Sequence, residues 1–422
     1  MRVFMLGWEF PPHISGGLGT ACFGITEGLT RLGVEIIFVL PKIKGEQHAS
    51  HVKLTSASDI PWDDADAAKI FTKAVKFRGI ESTLRPYSLF LPGSAFVSRG
   101  FATQQNPDFS AWELSGDYGA GLFQEAINYG RAAGVLARSE NFDVIHGHDW
   151  MTVHAGIEAR RVSKKPYIYH VHSLEFDRSG ENINRQVYDV ERYGLENADH
   201  IISVSQFTKN SIVSRYGIRP DKVTVVHNAV SQSDRRLPSR VEKRPGEKIV
   251  LFLGRITFQK GPDYFIEAAA RVLEKIPDVT FMMAGAGDMM HRMIERAAQL
   301  RMGSHFHFTG FLKGEEVERI YAMSDLYVMP SVSEPFGISP LEAMLYDVPV
   351  IISKQSGVSE ILHHALKVDF WDVSELADKM IGALRHPALA LEMTERAREE
   401  LKNIQWIGAA EKILAVYNTL CG

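Results

Sequence analysis

Cysteine is nearly absent. The 422 residues hold two, Cys22 and Cys421, at opposite ends of the chain. That excludes a disulfide framework and a cysteine-based zinc site, and makes a reducing cytosol the default setting. An excess of one charge is missing too. Lys and Arg number 47 against 51 Asp and Glu, so no net basic charge points to nucleic acid. No apolar run approaches the roughly 20 residues needed to span a bilayer, which leaves only peripheral membrane contact open. The opening "MRVFML" gives way to Gly7-Trp8-Glu9 too early for a signal peptide. The expectation is a cytoplasmic protein.

What is present is an alternation. The chain is too long for one ordinary core, and 45% apolar with 23% charged residues is common globular composition. "RVFML" and "VEIIFVLP" (34–41) read as buried strands, with a glycine-rich loop and a helix between them. Further strands are expected in "FDVIHGHDW", "KPYIYHVHS", "ADHIISVS" and "KVTVVHNAV", with helices near 119–139, 152–162 and 184–197. Residues 42–118 are less regular, and 81–118 reads as a loop-rich insertion near a binding surface. Polar residues 231–247 read as a linker. Beyond them the alternation restarts, from "KIVLFLGR" to "VPVIIS". The fold class expected is α/β, with two doubly wound parallel sheets. The domains are placed at 1–235 and 236–400, with a tail at 401–422.

Candidate chemistry falls at strand ends. Arg255 and Lys260 in "FLGRITFQKG" precede a helix start, and two cations there suit a diphosphate. Either alone would read as a solvated basic loop. "MAGAGD" (283–288) is a tight glycine turn or a second phosphate loop. In "SEPFGISPLEAM" Glu334 precedes a proline and so sits in extended backbone, while Glu342 lies about one turn into the next helix. Gly337, Ile338 and Ser339 can offer backbone N–H groups. Glu342 is also explained as a carboxylate complementing a helix dipole; Glu334 is not.

"HGHD" and "HVH" each set two histidines on one face of a strand end. They invite a metallohydrolase reading. For His146, His154 and His170 a hydrogen-bonding strand-end role is preferred; for His148, Asp149 and His172 it is not. The loop "GWEFPPHISGGLG" raises a different question. It is built like an anion cradle, yet between Pro11 and Thr20 its one ionisable side chain is His13. Gly16 and Gly17 can supply bare backbone there instead.

Taken in order, "PPHISGGLG", "VIHGHDW", "HVHS", "ADHIISVSQFTK", "VVHNAV", "LGRITFQKG", "AGAGD", "SEPFGISPLEAM" and "SGVSEIL" resemble the retaining GT-B glycosyltransferases of family 4 and the bacterial and archaeal glycogen synthases. The resemblance covers nearly the whole chain. It implies the GT-B fold: two Rossmann-like domains facing a cleft, the acceptor on the first and a nucleotide-sugar donor, ADP- or UDP-glucose, on the second. It implies Arg255 and Lys260 at the donor diphosphate, Glu334 at the transferred sugar, Glu342 at the ribose, His172 at the sugar's 6-hydroxyl and Asp149 on the acceptor side. Gly16 and Gly17 would bring bare backbone N–H groups across the cleft to the same diphosphate or to the acceptor, with Gly337 and Ile338 beside the diphosphate. It also implies a last helix crossing back to the first domain, no metal and no cofactor. Glycogen synthases carry a lysine where this chain has Ile14, which leaves the acceptor open.

The expected activity is therefore transfer of a hexose, glucose first, to a saccharide or glucan. The alternatives are a family-4 transferase for envelope or lipid-linked glycans, a His/Asp metallohydrolase and a silent sugar-nucleotide binder. The sequence does not fix the oligomeric state. A bulky residue in place of Gly17 is expected to lower activity far more than melting temperature. Undiminished turnover in such a variant would contradict a backbone role for this loop.

Overall fold

The computed structural model describes residues 1–11, 16–42, 51–59, 121–231, 243–244 and 246–422. The insertion expected at 81–118, His13, Ile14 and the proposed domain boundary at 235/236 lie outside the described residues.

Two parallel sheets carry the chain. The first has seven strands: β1 (Arg2–Leu6), β2 (Glu35–Leu40), β3 (Lys53–Ser56), β4 (Val144–His148), β5 (Tyr167–Val171), β6 (His200–Ser203) and β7 (Val223–Val225). Their order is β3-β2-β1-β4-β5-β6-β7. The second has six: β8 (Lys248–Leu253), β9 (Val279–Ala284), β10 (Phe306–Gly310), β11 (Leu326–Met329), β12 (Val350–Ser353) and β13 (Leu366–Val368), ordered β10-β9-β8-β11-β12-β13. Central strands such as β4 and β5 are buried along their whole length, as parallel strands covered by helices on both faces must be.

The direction of winding reverses between β1 and β4 in the first sheet and between β8 and β11 in the second. At such a switch point two neighbouring loops diverge and leave a crevice at the carboxyl ends of the strands. The loops that diverge are those after β1, β4, β8 and β11. They are the glycine-rich loop, "HGHD", "GRITFQKG" and "SEPFG", so topology gathers four of the stretches singled out above.

Several elements were not anticipated. Strand β3 falls in the stretch read as irregular. The nine residues 222–230 read as one strand give only Val223–Val225 before the chain turns irregular. Strand β13 and the helices Val373–Arg385 and Pro387–Leu401 were also unread. A three-residue edge strand has too few alternations to show a period.

The last helix, Trp406–Cys421, lies against the helix Gly17–Arg31 of the first domain. Small residues make that approach possible. A Cβ on Gly24 would meet the Trp406 ring at 2.1 Å, and one on Gly28 would meet the Trp406 carbonyl oxygen at 2.7 Å. The tail thereby joins the core formed by Val3, Ile25, Ile36 and Ile168. Gly24→Val is expected to lower unfolding stability by about 1–3 kcal/mol, the range for overpacking a tight contact. Gly382→Ala, where a Cβ has nothing within 4 Å, should be neutral or stabilising. Equal denaturation midpoints for Gly24→Val and wild type would contradict this packing.

Candidate active site

The second domain's crevice is built by backbone approach. After β8 the chain turns at Gly254, and Gly254 N–H donates to Ala284 O of β9 at 3.0 Å. A Cβ on Gly285 would sit 1.8 Å from Gly254 O, and one on Gly287 2.2 Å from Ile256 O. The glycines of "MAGAGD" thus let two turns press together, which accounts for them as a tight turn. The turn then runs through Phe258–Lys260 into the helix Pro262–Leu273. Arg255 reaches Gln259 Oε1 at 3.2 Å, and Lys260 turns to the loop after β11.

There Lys260 Nζ forms an ion pair with Glu334 Oε2. The Glu334 side chain is 7% exposed, so its charge needs a partner in place. Ser331 Oγ donates to the same oxygen at 3.2 Å. Gly337 adopts φ 97°, and a Cβ there would crowd Glu334 Cγ at 3.1 Å. Glycine therefore serves both the backbone turn and the space for the carboxylate. Ile338 starts the helix Ser339–Leu345, which carries Glu342. Tyr321 Oη donates to Glu342 Oε2 at 3.0 Å.

The first domain contributes a stack of imidazoles. Alternate residues of a strand share a face, and β4 and β5 pair so that His148 neighbours His170. His146 and His148 lie 4.4 Å apart between ring centroids, and His170 and His172 4.3 Å. Tyr417 Oη of the last helix is 2.5 Å from His146 Nδ1, His146 Nε2 is 3.1 Å from His170 Nδ1, and His148 Nδ1 is 2.9 Å from His172 Nε2. His146, His148 and His170 offer ring nitrogens within 4.8 Å of one another. A coordinating imidazole must hold its metal in the ring plane, yet His146 and His148 are stacked at 21°. The stacked pair cannot share one in-plane ion, and the ring contacts described are hydrogen bonds.

Asp149 is 3% exposed and adopts φ 60° at the end of β4. Its Oδ1 accepts the backbone N–H of His172 at 2.7 Å and of Ser173 at 3.2 Å. It thus ties the ends of β4 and β5 together behind His172. Burial lifts its carboxyl to about 6, against the pull of the His172 N–H. Burial also pushes His146 and His172 down to about 3, and His148 and His170 well below the ordinary range.

Gly16 and Gly17 open the helix Gly17–Arg31 and are exposed, and among the described residues nothing lies within 4 Å of a built Cβ on either. Asp177, which sequence reasoning passed over, links the two halves: its Oδ1 accepts Ser333 Oγ at 2.6 Å. It lies on the short helix Glu175–Ser179, braced where Arg178 bridges Glu175 and Glu191. That helix also touches the Phe258–Lys260 turn. The structure so brings the His172 loop, Lys260 and Glu334 together. No single residue type marked Asp177, because its partner is 156 positions away.

This is a two-domain glycosyltransferase of the GT-B fold. Residues 119–234 match the family described as Glycosyltransferase Family 4, and 233–400 that described as Glycosyl transferases group 1. The chain belongs to these glycosyltransferases. It is 29% identical over 378 residues to an uncharacterized glycosyltransferase of Methanocaldococcus jannaschii, covering 86% of this chain and 83% of that one. It is 26% identical over 427 residues to a glycogen synthase of Mycobacterium tuberculosis, covering 99% and 94%. A sucrose-phosphate synthase from Thermosynechococcus elongatus shares the fold with a TM-score of 0.72 at 18% identity, covering 99% and 98%. The metallohydrolase alternative is thereby set aside. Among the described residues no helix is long and apolar enough to cross a membrane.

The buried imidazoles have a thermodynamic consequence. Below pH 6.5 the unfolded chain protonates histidines that the folded chain keeps neutral. His51, His154 and His200 are shifted down as well. The raised carboxyls of Asp149, Asp177, Glu191 and Asp263 act in the opposite sense but are fewer. The unfolded state therefore binds more protons, and stability falls on acidification from pH 6.5 to 5 by about 1.4 kcal/mol per pH unit for each unbalanced proton. Urea midpoints measured across that range should decline; a rise would contradict neutral burial of the stack.

Proposed function

We propose that the protein is a retaining α-glycosyltransferase that moves glucose from ADP- or UDP-glucose to a saccharide acceptor, in the manner of a glycogen or α-glucan synthase. The observation that carries this reading is the meeting of the His172 loop with Lys260 and Glu334, tied by the Asp177–Ser333 hydrogen bond. The similarity to a glycogen synthase along 99% of the chain supports the acceptor class.

In this reading Lys260 and Arg255 hold the donor diphosphate. Lys260 is paired with Glu334 in the free protein; an arriving diphosphate competes for the ammonium, and hydroxyls of the sugar donate to the carboxylate. Glu342, steadied by Tyr321, takes the ribose hydroxyls. Backbone groups of Gly16, Gly17, Gly337 and Ile338 complete the diphosphate's surroundings. His172, kept neutral by burial and held by His148 and Asp149, meets the sugar's 6-hydroxyl from the acceptor side. No carboxylate is assigned as a covalent nucleophile. Leaving and entering oxygens then share one face of the sugar, and the departing phosphate oxygen takes the acceptor's proton. The cations stabilise the charge that develops on the leaving group. Neither a metal nor a cofactor is part of this proposal.

Arg255→Ala and Lys260→Ala are each expected to cost about 2–4 kcal/mol of transition-state stabilisation, read as kcat/KM for sugar transfer. Thermal shifts against ADP-, UDP- and GDP-sugars should show stabilisation by the true donor. Full turnover by both variants, or no shift with any nucleotide sugar, would overturn the assignment.

A further inference from the structure

The two halves of the molecule are also joined at a point away from the proposed sugar contacts. Glu360 ends the short turn Gly357–Glu360 of the second domain, and its carboxylate reaches the first. Oε2 accepts the backbone N–H of Gln206 at 2.9 Å, and Oε1 that of Phe207 at 2.7 Å. These residues open the helix Gln206–Tyr216. His227 Nε2 lies 2.7 Å from Oε2. The first N–H groups of a helix lack intrahelical acceptors and favour a negative charge. Such a charge usually comes from the helix's own chain neighbourhood. Here it comes from 154 residues away, so a helix cap becomes a bond between domains.

The same helix start grips the turn that carries Glu334. Ser205 Oγ donates to Pro335 O at 2.5 Å, and Thr208 Oγ1 to the same oxygen at 3.3 Å. From the other side, Glu334 N–H donates to Gln355 O at 2.9 Å, Gly357 N–H to Glu334 O at 2.9 Å and Val358 N–H to Phe336 O at 2.7 Å. Gly357 leaves no slack, since a Cβ there would lie 2.2 Å from Pro335 O and 2.4 Å from Ser205 Cβ. The backbone of 334–336 is thus held between 355–358 of its own domain and 205–208 of the other. Glu360, three residues past Gly357, fastens the two holders to each other.

We propose that Glu360 is a positioning residue for sugar transfer: by capping the helix Gln206–Tyr216 and receiving His227, it fixes the joint that sets Glu334 relative to His172 across the cleft. This rests on the reading of the cleft as the transfer site. Glu360 has no assigned contact with donor or acceptor. Its effect passes through Ser205 and Pro335 to the backbone of Glu334.

The test uses the full chain as wild type, Glu360→Gln, Glu360→Ala and Ser205→Ala. Displacing a reacting group by about 1 Å costs on the order of a hundredfold, so kcat for transfer from ADP- or UDP-glucose should fall about tenfold to a hundredfold in Glu360→Ala and Ser205→Ala. Glu360→Gln, which keeps one acceptor oxygen, should fall between them and wild type. The dissociation constant of ADP or UDP, measured by calorimetry, should change little, because the side chains assigned to the diphosphate and ribose, Arg255, Lys260 and Glu342, all lie in the second domain. Small-angle scattering should show a broader interdomain distribution for Glu360→Ala. A purely structural role would lower melting temperature while leaving the kcat of folded protein and the scattering unchanged, and that result overturns the proposal. If Glu360→Ala does not fold, the same readouts on Glu360→Gln and Ser205→Ala decide. If wild type binds neither nucleotide, the functional reading fails instead. Scattering then judges the joint alone, and an unchanged distribution in the Glu360 variants overturns it.

Discussion

Burying the Glu334 carboxylate is the demand that organises the cleft. A carboxylate taken from water without a partner costs several kcal/mol, and here the partner is Lys260 from the neighbouring loop. Meeting that demand draws the loops after β8 and β11 together at the second switch point. The same pair leaves Arg255 and the helix start at Pro262 alongside. Gly337 is glycine because the backbone turns at positive φ and because the carboxylate stem occupies the space a Cβ would need. Loop shape, charge and proposed chemistry follow from this one buried ion pair.

The opposite wall solves a different problem. Four imidazoles from two paired strands are packed face to face and kept neutral by burial. They are ordered by mutual hydrogen bonds, with Tyr417 at one end of the chain of contacts and Asp149 behind His172. Tyr417 belongs to the last helix, so the tail that packs through Gly24 and Trp406 also closes the histidine stack. A neutral wall of imidazoles thus stands opposite the charged Lys260–Glu334 pair.

Much of this was legible in the sequence. Apolar strand runs alternating with helices gave two doubly wound sheets, and the residues at strand ends fell where such sheets place ligands. Arg255, Lys260 and Glu334 could be named from local pattern, because each sits in a turn with its own proline or glycine signature. Asp149 was singled out beside the histidines, but its hold on the His172 and Ser173 backbone needed the pairing of β4 with β5. Asp177, Ser205 and Glu360 escaped notice. Each acts on a partner more than a hundred residues away, and an isolated Asp, Ser or Glu on a helix end looks like any solvated cap.

What the sequence determined by itself is therefore the central strands and the helices between them, though not the short edge strands or the helices of 373–401, and the charged or bare backbone groups at their ends, because hydrophobic periodicity and turn chemistry are local. Tertiary structure decided which of those groups meet. The Lys260–Glu334 pair, the hydrogen bonds among the imidazoles and the Glu360 cap between domains depend on strand order and on the register of parallel pairing. These are set by packing among segments far apart in the chain, and no local pattern encodes them.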